Sequence, residues 1–272
     1  MEISQQVAVI TGAASGIGRE VANELARRGA KAIALVDRQE EVNSVANAMN
    51  GEFGAVTTVE SFVGEVTDEA FRGHVFDRVT EAHGVPRICV PAAGITRDAL
   101  AAKVDKVTGK AELFPIDEFR LVMEVNLLAP VYWALEMVGR IAEERHAREL
   151  KRWDPAERVQ GTIVFIGSVS SQGNKGQISY AATKAGLEGA AATLTKEAIF
   201  HGVRCAVIHP GFTDTPMVRA LGEEYISKAI LPYTQLRRLI RPKEIADAIC
   251  FLSANSAVSG ELWADAGWHP SA

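Results

Sequence analysis

The first 37 residues constrain the fold more than any other stretch. A short apolar run, "VAVI" (7–10), leads into "TGAASGIG" (11–18), then into the helical pattern "GREVANELARRG" ending at Gly29, then into a second apolar run, "AIALVD" (32–37). Strand, glycine-rich turn, helix and strand in that order form a βαβ unit, and its helical crossover makes the two strands parallel. Gly12, Gly16 and Gly18 give a G-x-x-x-G-x-G spacing. Glycines there let the backbone turn sharply and approach a pyrophosphate, whose charge meets the N-terminus of the helix. Asp37 ends the second strand nineteen residues past Gly18, where a carboxylate binds the ribose hydroxyls of a dinucleotide; the plainer alternative is a loop or helix-capping acid. A carboxylate in that place repels a 2′-phosphate. Ser15 adds no positive charge to the loop, whereas Arg38 is able to accept a phosphate. The residues favour NAD, with NADP as the alternative.

The remaining chain repeats the alternation. "RICV" (87–90), "GTIVFIG" (161–167), "VRCAVIH" (203–209) and "ELWA" (261–264) read as strands, and helical patterns fill 40–49, 117–145, 178–201 and 242–255. Near-continuous apolar strands alternating with helices predict a parallel sheet covered on both faces. With no linker rich in Pro, Gly or Ser and no internal repeat, the expected architecture is one α/β domain over 1–272, a doubly wound Rossmann-type sheet. Two charged segments, 97–119 and 143–160, read as surface insertions, the first placed to overhang a site. The segment 212–236 reads as a substrate lid, with Met217, Leu221, Ile226, Ile230, Leu231 and Tyr233 as an apolar wall.

Charge and cysteine usage exclude several classes. A net charge of −5 and a pI near 5.8 lack the basic footprint of a nucleic-acid binder. Cys89, Cys205 and Cys250 lie far apart without metal-ligand spacing, which fits buried thiols in a reducing compartment, and no metal site is expected. The N-terminus "MEISQQVAVI" has no basic region before a long apolar core. No apolar run reads as approaching the ~20 residues of a membrane span. A cytoplasmic protein without a membrane partner is the expectation.

"ISYAATKAG" (178–186) places Tyr180 and Lys184 four apart in an Ala-rich helical run. Residues so spaced are neighbours on one helix face. An ammonium beside a phenol favours the phenolate, so Lys184 is expected to lower the pKa of Tyr180 and make it a general acid–base group. A packed aromatic beside a solvated lysine is the plainer alternative.

"TGAASGIG", "AAGI" (92–95), "VNLLAP" (125–130), "IGSVSS" (166–171), "YAATK" (180–184) and "HPGFTDTP" (209–216) occur in the order seen in short-chain dehydrogenases/reductases, which the chain resembles over nearly its whole length. The resemblance implies a hydride-transfer enzyme acting on a secondary alcohol or its ketone, with Tyr180 as proton donor or acceptor and Lys184 lowering its pKa and binding the nicotinamide ribose. It implies that Ser168 hydrogen-bonds the substrate oxygen and that Asn126 holds a water joining Lys184 to solvent. For the cofactor it adds Ile17 of the glycine loop, Glu65 and Val66 beside the adenine, and Ala93 and Gly94 of "AAGI". From "HPGFTDTP" it adds Pro210 and Gly211, with Thr213 and Thr215 at the carboxamide. Pro91 and Ala92 stand where relatives commonly carry two asparagines, and "ADAGW" (264–268) replaces the usual "VDGG".

The substrate is less legible. "AGITRDAL" (93–100) resembles the 3-oxoacyl carrier-protein reductases, and Lys196 matches a position some of them use to dock an acidic carrier protein. The longer segment 97–119 resembles the corresponding loop of short-chain 3-hydroxyacyl-CoA dehydrogenases, and its Lys103, Lys106 and Lys110 would meet a CoA phosphate unless they only solvate the loop. Steroid, sugar-alcohol and small-ketone substrates remain open. A non-catalytic nucleotide sensor and a sugar-nucleotide epimerase or dehydratase are the competing classes. The resemblance also implies a homotetramer touching through 117–140 and 178–201.

Overall fold

The computed structural model describes residues 1–268; the last four residues of the domain range read from sequence lie outside the described residues. The chain runs β1 (Val7–Thr11), α1 (Gly16–Arg27), β2 (Ala32–Asp37), α2 (Glu41–Phe53), β3 (Thr58–Val63), α3 (Glu69–His83) and β4 (Ile88–Pro91). A small hairpin follows, β5 (Ala102–Val104) and β6 (Ala111–Leu113), then α4 (Ile116–Met123), a π turn (Glu124–Leu128) and α5 (Ala129–Ala147). The second half comprises β7 (Gly161–Ile166), α6 (Ile178–Glu197), β8 (Val203–Pro210), α7 (Pro216–Arg219), α8 (Glu223–Tyr225), α9 (Pro242–Ala254) and β9 (Gly260–Ala264).

Seven strands form one parallel sheet in the order β3-β2-β1-β4-β7-β8-β9. The strand order reverses at β1, which pairs with β2 on one side and β4 on the other. This opens a crevice at the carboxyl ends of the strands, where ligands bind in such sheets. Because strand side chains alternate faces, successive residues feed two cores. Ala8 and Ile10 of β1 and Val164 of β7 pack with α1, α2 and α9, while Val7, Val9, Ile163 and Phe165 pack with α3, α5 and α6. Helices therefore cover both faces, as expected from the sequence.

Several sequence expectations are corrected. Strand β3 and helix α3 are not among the expected elements: β3 interrupts its apolar residues with Glu60 and Ser61, and α3 buries only a sparse stripe. The expected helix 117–145 is broken by the π turn, and 178–201 gives way to a 3-10 turn after Glu197. The run 116–147 is long and apolar enough, by length and composition, to cross a bilayer, contrary to the sequence reading. Its apolar residues are instead spent on the sheet, with Trp133, Met137 and Ile141 fully buried. The indole of Trp133 also donates to the Val66 carbonyl at 2.8 Å, fixing the loop after β3.

The insertions differ from a simple surface reading. The hairpin β5–β6 is exposed throughout, and its Lys103 pairs with Glu112 across the strands at 3.4 Å. In contrast, 143–160 is anchored through a buried residue: Arg145 is 1% exposed and donates to both carboxylate oxygens of Glu157 and to the Lys151 carbonyl. Of the 212–236 segment, Ile226 and Ile230 are buried with Leu239 in a small core of their own, whereas Tyr233 is exposed. All three cysteines are buried and unpaired, as expected.

Candidate active site

A cleft of about 360 Å³ lies at the carboxyl ends of β1, β2, β4 and β7, between the glycine loop and α6. Of the residues proposed from sequence, Gly12, Ser15, Gly16, Ile17, Gly18, Asp37, Arg38, Glu65, Val66, Ala93, Gly94, Tyr180, Lys184 and Thr215 all line it. Asn126, Ser168, Pro210, Gly211 and Thr213 are not in its lining. A larger hollow, about 840 Å³, sits at the opposite end of the sheet among Met1, Trp153, Arg204 and Ser256. Both have charged linings, but only the cleft at the strand carboxyl ends sets the glycine loop opposite buried Lys184 and Tyr180, so size does not identify the site.

The glycines are required by contact as much as by curvature. A Cβ on Gly12, whose φ is +66°, would lie 2.7 Å from the Ala93 nitrogen, and one on Gly18 would lie 2.4 Å from the Gly12 carbonyl oxygen. The loop is thus folded onto both the β4 loop and its own helix, and its three glycines line the cleft together with Ser15 and Ile17. Asp37 locks this arrangement: Oδ2 accepts from the Ala14 N–H at 3.0 Å and Oδ1 from the Gln39 N–H at 3.1 Å. A carboxylate has about four lone-pair sites, so acceptor capacity remains for ribose hydroxyls. Arg38, alongside, is exposed and has no ion-pair partner among the described residues. The glycine-rich loop, the helix N-terminus and the carboxylate beyond it fit a dinucleotide.

On the other side of the cleft stand the chemical groups. Lys184 is 5% exposed, has no carboxylate partner, and donates to the Ile166 carbonyl at 2.7 Å. Burial lowers its pKa to about 8. Its Nζ lies 5.4 Å from the centre of the Tyr180 ring. The expected depression of Tyr180 does not arise from this fold: burial pushes the phenol up to about 12, the Ser168 side chain opposing and Asp98 adding to the rise. The lysine is committed to a carbonyl and its charge is itself penalised by burial, so it does little for a phenolate.

Ser168 lies just past β7 and accepts from the Ser170 N–H at 3.1 Å, capping the 3-10 turn Val169–Gln172, while its own side chain hydrogen-bonds the Tyr180 phenol. Asn126 occupies the π turn, fully buried. Its Nδ2 donates to the Ile95 carbonyl at 2.8 Å and its Oδ1 accepts from the Ile95 N–H at 2.9 Å. That reciprocal pair holds the "AAGI" loop against the cleft. Thr215 caps α7 and its methyl sits where a Gly16 side chain would be, while Thr213 donates to the Gly211 carbonyl at 3.0 Å. Gly211 itself abuts Asp265, where a Cβ would be 2.6 Å from a carbonyl oxygen.

Sequence reasoning missed one supporting network. Gln177 accepts from the Ser170 hydroxyl at 2.9 Å and donates to Asp98 at 2.9 Å, tying the loop before α6 to the segment after β4. Three common polar residues in two loops carry no spacing signal.

This fold and site define a class: a parallel-sheet dinucleotide-binding enzyme with a tyrosine and a lysine lining its cleft opposite the glycine loop. Residues 6–226 match the short chain dehydrogenase family. The chain is 32% identical over 264 residues to the 3-oxoacyl-[acyl-carrier-protein] reductase of Escherichia coli (strain K12), covering 96% of each. It is 33% identical over 260 residues to the protein of that name from Pseudomonas aeruginosa, covering 94% of this chain and 93% of that one. A crystal structure described as ribose-5-phosphate isomerase from Brucella melitensis 16M superposes with a TM-score of 0.80 at 27% identity, covering 98% of this chain and 93% of that one. The chain belongs to the short-chain dehydrogenase/reductase family and is an NAD(P)-dependent oxidoreductase acting on a small-molecule carbonyl or alcohol.

Proposed function

We propose that the protein transfers hydride between NAD(H) and a secondary alcohol or ketone, with a 3-hydroxyacyl/3-oxoacyl thioester as substrate class. The observation that carries the reading is the arrangement of Tyr180 and Lys184 at one side of a cleft lined at the other by Asp37, with the Ser168 side chain hydrogen-bonded to Tyr180. The nicotinamide supplies the hydride; the protein's part is to align the carbonyl and move a proton. Ser168 offers its O–H to the substrate oxygen, a preorganised donor where charge develops. Tyr180, held protonated by burial with a pKa near 12, supplies the proton to that oxygen, which suits the reducing direction. Lys184 binds the ribose from its buried position, and Asn126 acts by fixing the Ile95 loop that forms the cleft wall.

The thioester reading is supported by the relatives, whose names specify a 3-oxoacyl carrier-protein substrate. Lys106 and Lys110 on the exposed hairpin segment have no ion-pair partner among the described residues, and stay available for an acidic carrier or a CoA phosphate. The segment 212–236 acts as a lid, with Met217 in the cleft lining. A stripe of exposed Leu128, Tyr132 and Leu135 running from the π turn into α5 supports assembly with further copies, a homotetramer by family resemblance. One observation favours a second reading for the cofactor: unpaired Arg38 lines the same end of the cleft as Asp37 and would bind the 2′-phosphate of NADP(H).

The test is oxidation of NADH and NADPH with acetoacetyl-CoA, an acetoacetyl carrier-protein mimic, a cyclic diketone, a steroid ketone and a keto-sugar. Rapid NADH turnover confined to a thioester is expected; turnover confined to another carbonyl refutes the substrate class. Tyr180→Phe is expected to lower turnover by at least ~10³-fold, within the range of acid–base contributions, with NADH binding retained. Substantial residual activity refutes the proton-donor role.

A further inference from the structure

Three ligand-type side chains from three separate segments meet outside the cleft lining, behind Ser168. His209 is at the end of β8, Glu188 is on α6 one turn beyond Lys184, and Glu261 is on β9; one ligand atom of each lies within 4.8 Å of the others. His209 is fully buried and its orientation is fixed on three sides. Nδ1 is 3.2 Å from the Ser168 carbonyl oxygen. A carbonyl only accepts, so Nδ1 carries the proton and donates. The ring stacks on Trp263 with centroids 4.2 Å apart and planes 13° from parallel. Gly167 makes room for it, since a Cβ there would lie 2.6 Å from Nδ1.

These contacts aim Nε2 at two carboxylates. It is 3.2 Å from Glu261 Oε2 and 3.9 Å from Glu188 Oε1, yet it is buried and makes no hydrogen bond. With the proton on Nδ1, Nε2 is a lone-pair acceptor facing two further acceptors. Among the described residues neither carboxylate has an arginine or lysine partner. Three acceptors converging with no donor is unfavourable unless a cation stands between them.

We propose that Glu188, His209 and Glu261 bind a divalent transition-metal ion, with zinc the best fit. Zinc takes imidazole nitrogen and carboxylate oxygen at about 2.0–2.2 Å in a tetrahedron, which puts two ligand atoms roughly 3.3 Å apart. The 3.2 Å pair already has this spacing, and the 3.9 Å pair reaches it by a small rotation of Glu188, whose side chain is 29% exposed. A ligating histidine that donates its other N–H to a backbone carbonyl is the outer arrangement that orients such ligands. Calcium and magnesium are disfavoured, because they require six or more oxygens or several retained waters. The ion ties α6, β8 and β9 together and, through the Nδ1–H bond, braces the carbonyl of Ser168. The fourth position opens to solvent beside Glu261, whose side chain is 43% exposed.

The test uses the full chain, stripped with EDTA and desalted, then titrated with ZnCl₂ by calorimetry and with CoCl₂ by visible absorption. The wild type is expected to take one ion per chain, raise its melting temperature and show cobalt d–d bands. Glu188→Gln and Glu261→Gln are each expected to weaken binding by at least ~10-fold, the lower bound for losing even an outer partner, and the double variant to abolish it. These positions are partly exposed and the substitutions keep side-chain size, so the fold is retained; His209→Asn adds the third ligand where it folds. No ion uptake by the wild type, or equal affinity in the double variant, overturns the proposal. So does a metal-free protein whose His209 ring carries protons on both nitrogens by ¹⁵N NMR and stays unchanged on zinc addition, because the trio is then an imidazolium–carboxylate pair.

Discussion

The sheet has a hollow at each end, and a helix beside each end carries a buried cation. At the amino ends of the strands, Arg145 of α5 is paired with both oxygens of Glu157 and donates to the Lys151 carbonyl. That pairing holds the Glu157 carboxyl down at about 2. At the carboxyl ends, Lys184 of α6 has a single carbonyl for its charge and is driven toward its neutral form. The first cation is compensated and serves the fold. The second is left uncompensated, a cost that perturbed groups in active sites commonly carry. The larger hollow, at the amino ends, is lined by Glu157 and also by Arg204, which among the described residues reaches only the Leu252 and Val258 carbonyls, so neither volume nor one uncompensated charge identifies the site; the pairing of Lys184 with Tyr180 beside the glycine loop does.

The sharpest way to break this contrast is Lys184→Met. Turnover is expected to fall by ~10²–10⁴-fold, while the melting temperature at pH 7 stays level or rises, because a buried uncompensated charge is removed. The sign follows from linkage: the unfolded lysine holds its proton to 10.5 and the folded one only to about 8. The unfolded state therefore binds more protons in that window, and wild-type stability rises with pH from about 8 to 10.5. The variant should lose that rise; a marked drop in melting temperature at pH 7 would show Lys184 to be structural.

Asp37→Ala comes next in size. It removes two hydrogen bonds that hold the glycine loop and the carboxylate that meets the ribose. At ~1.5–3 kcal/mol for a bond to a charged group, NADH affinity should fall by ~10–100-fold, and preference should move toward NADPH as Arg38 is left alone. Unchanged cofactor preference in equilibrium titration would remove Asp37 from the ribose site.

The smallest kinetic effect is expected at the compensated end. Glu157→Gln strands buried Arg145, whereas Arg145→Met leaves a partly exposed carboxylate that water can solvate. The first should be the more destabilising of the two in urea, and neither should change kcat. The Glu157 contribution is fully present above its unfolded value of 4.5 and is lost as pH falls through about 2. Equal stability loss, or a kinetic effect, would refute the division between the two ends.

The sequence alone determined the sheet type, its covering on both faces and most of the residues that line the cleft. A βαβ period and invariable steric demands at Gly12 and Gly18 are local facts, written within a few residues of one another. It did not disclose β3 and α3, whose patterns are too mixed to read alone. The tertiary structure decided protonation and purpose. It turned the expected low pKa of Tyr180 into a raised one, because desolvation depends on what packs around a phenol rather than on a lysine four residues away. It gave Asn126 the Ile95 backbone as partner, buried Arg145 inside a segment that reads as surface, and brought Glu188, His209 and Glu261 together from α6, β8 and β9. Groups that converge across a fold leave no period in the chain, and their electrostatics exist only once water has been excluded from between them.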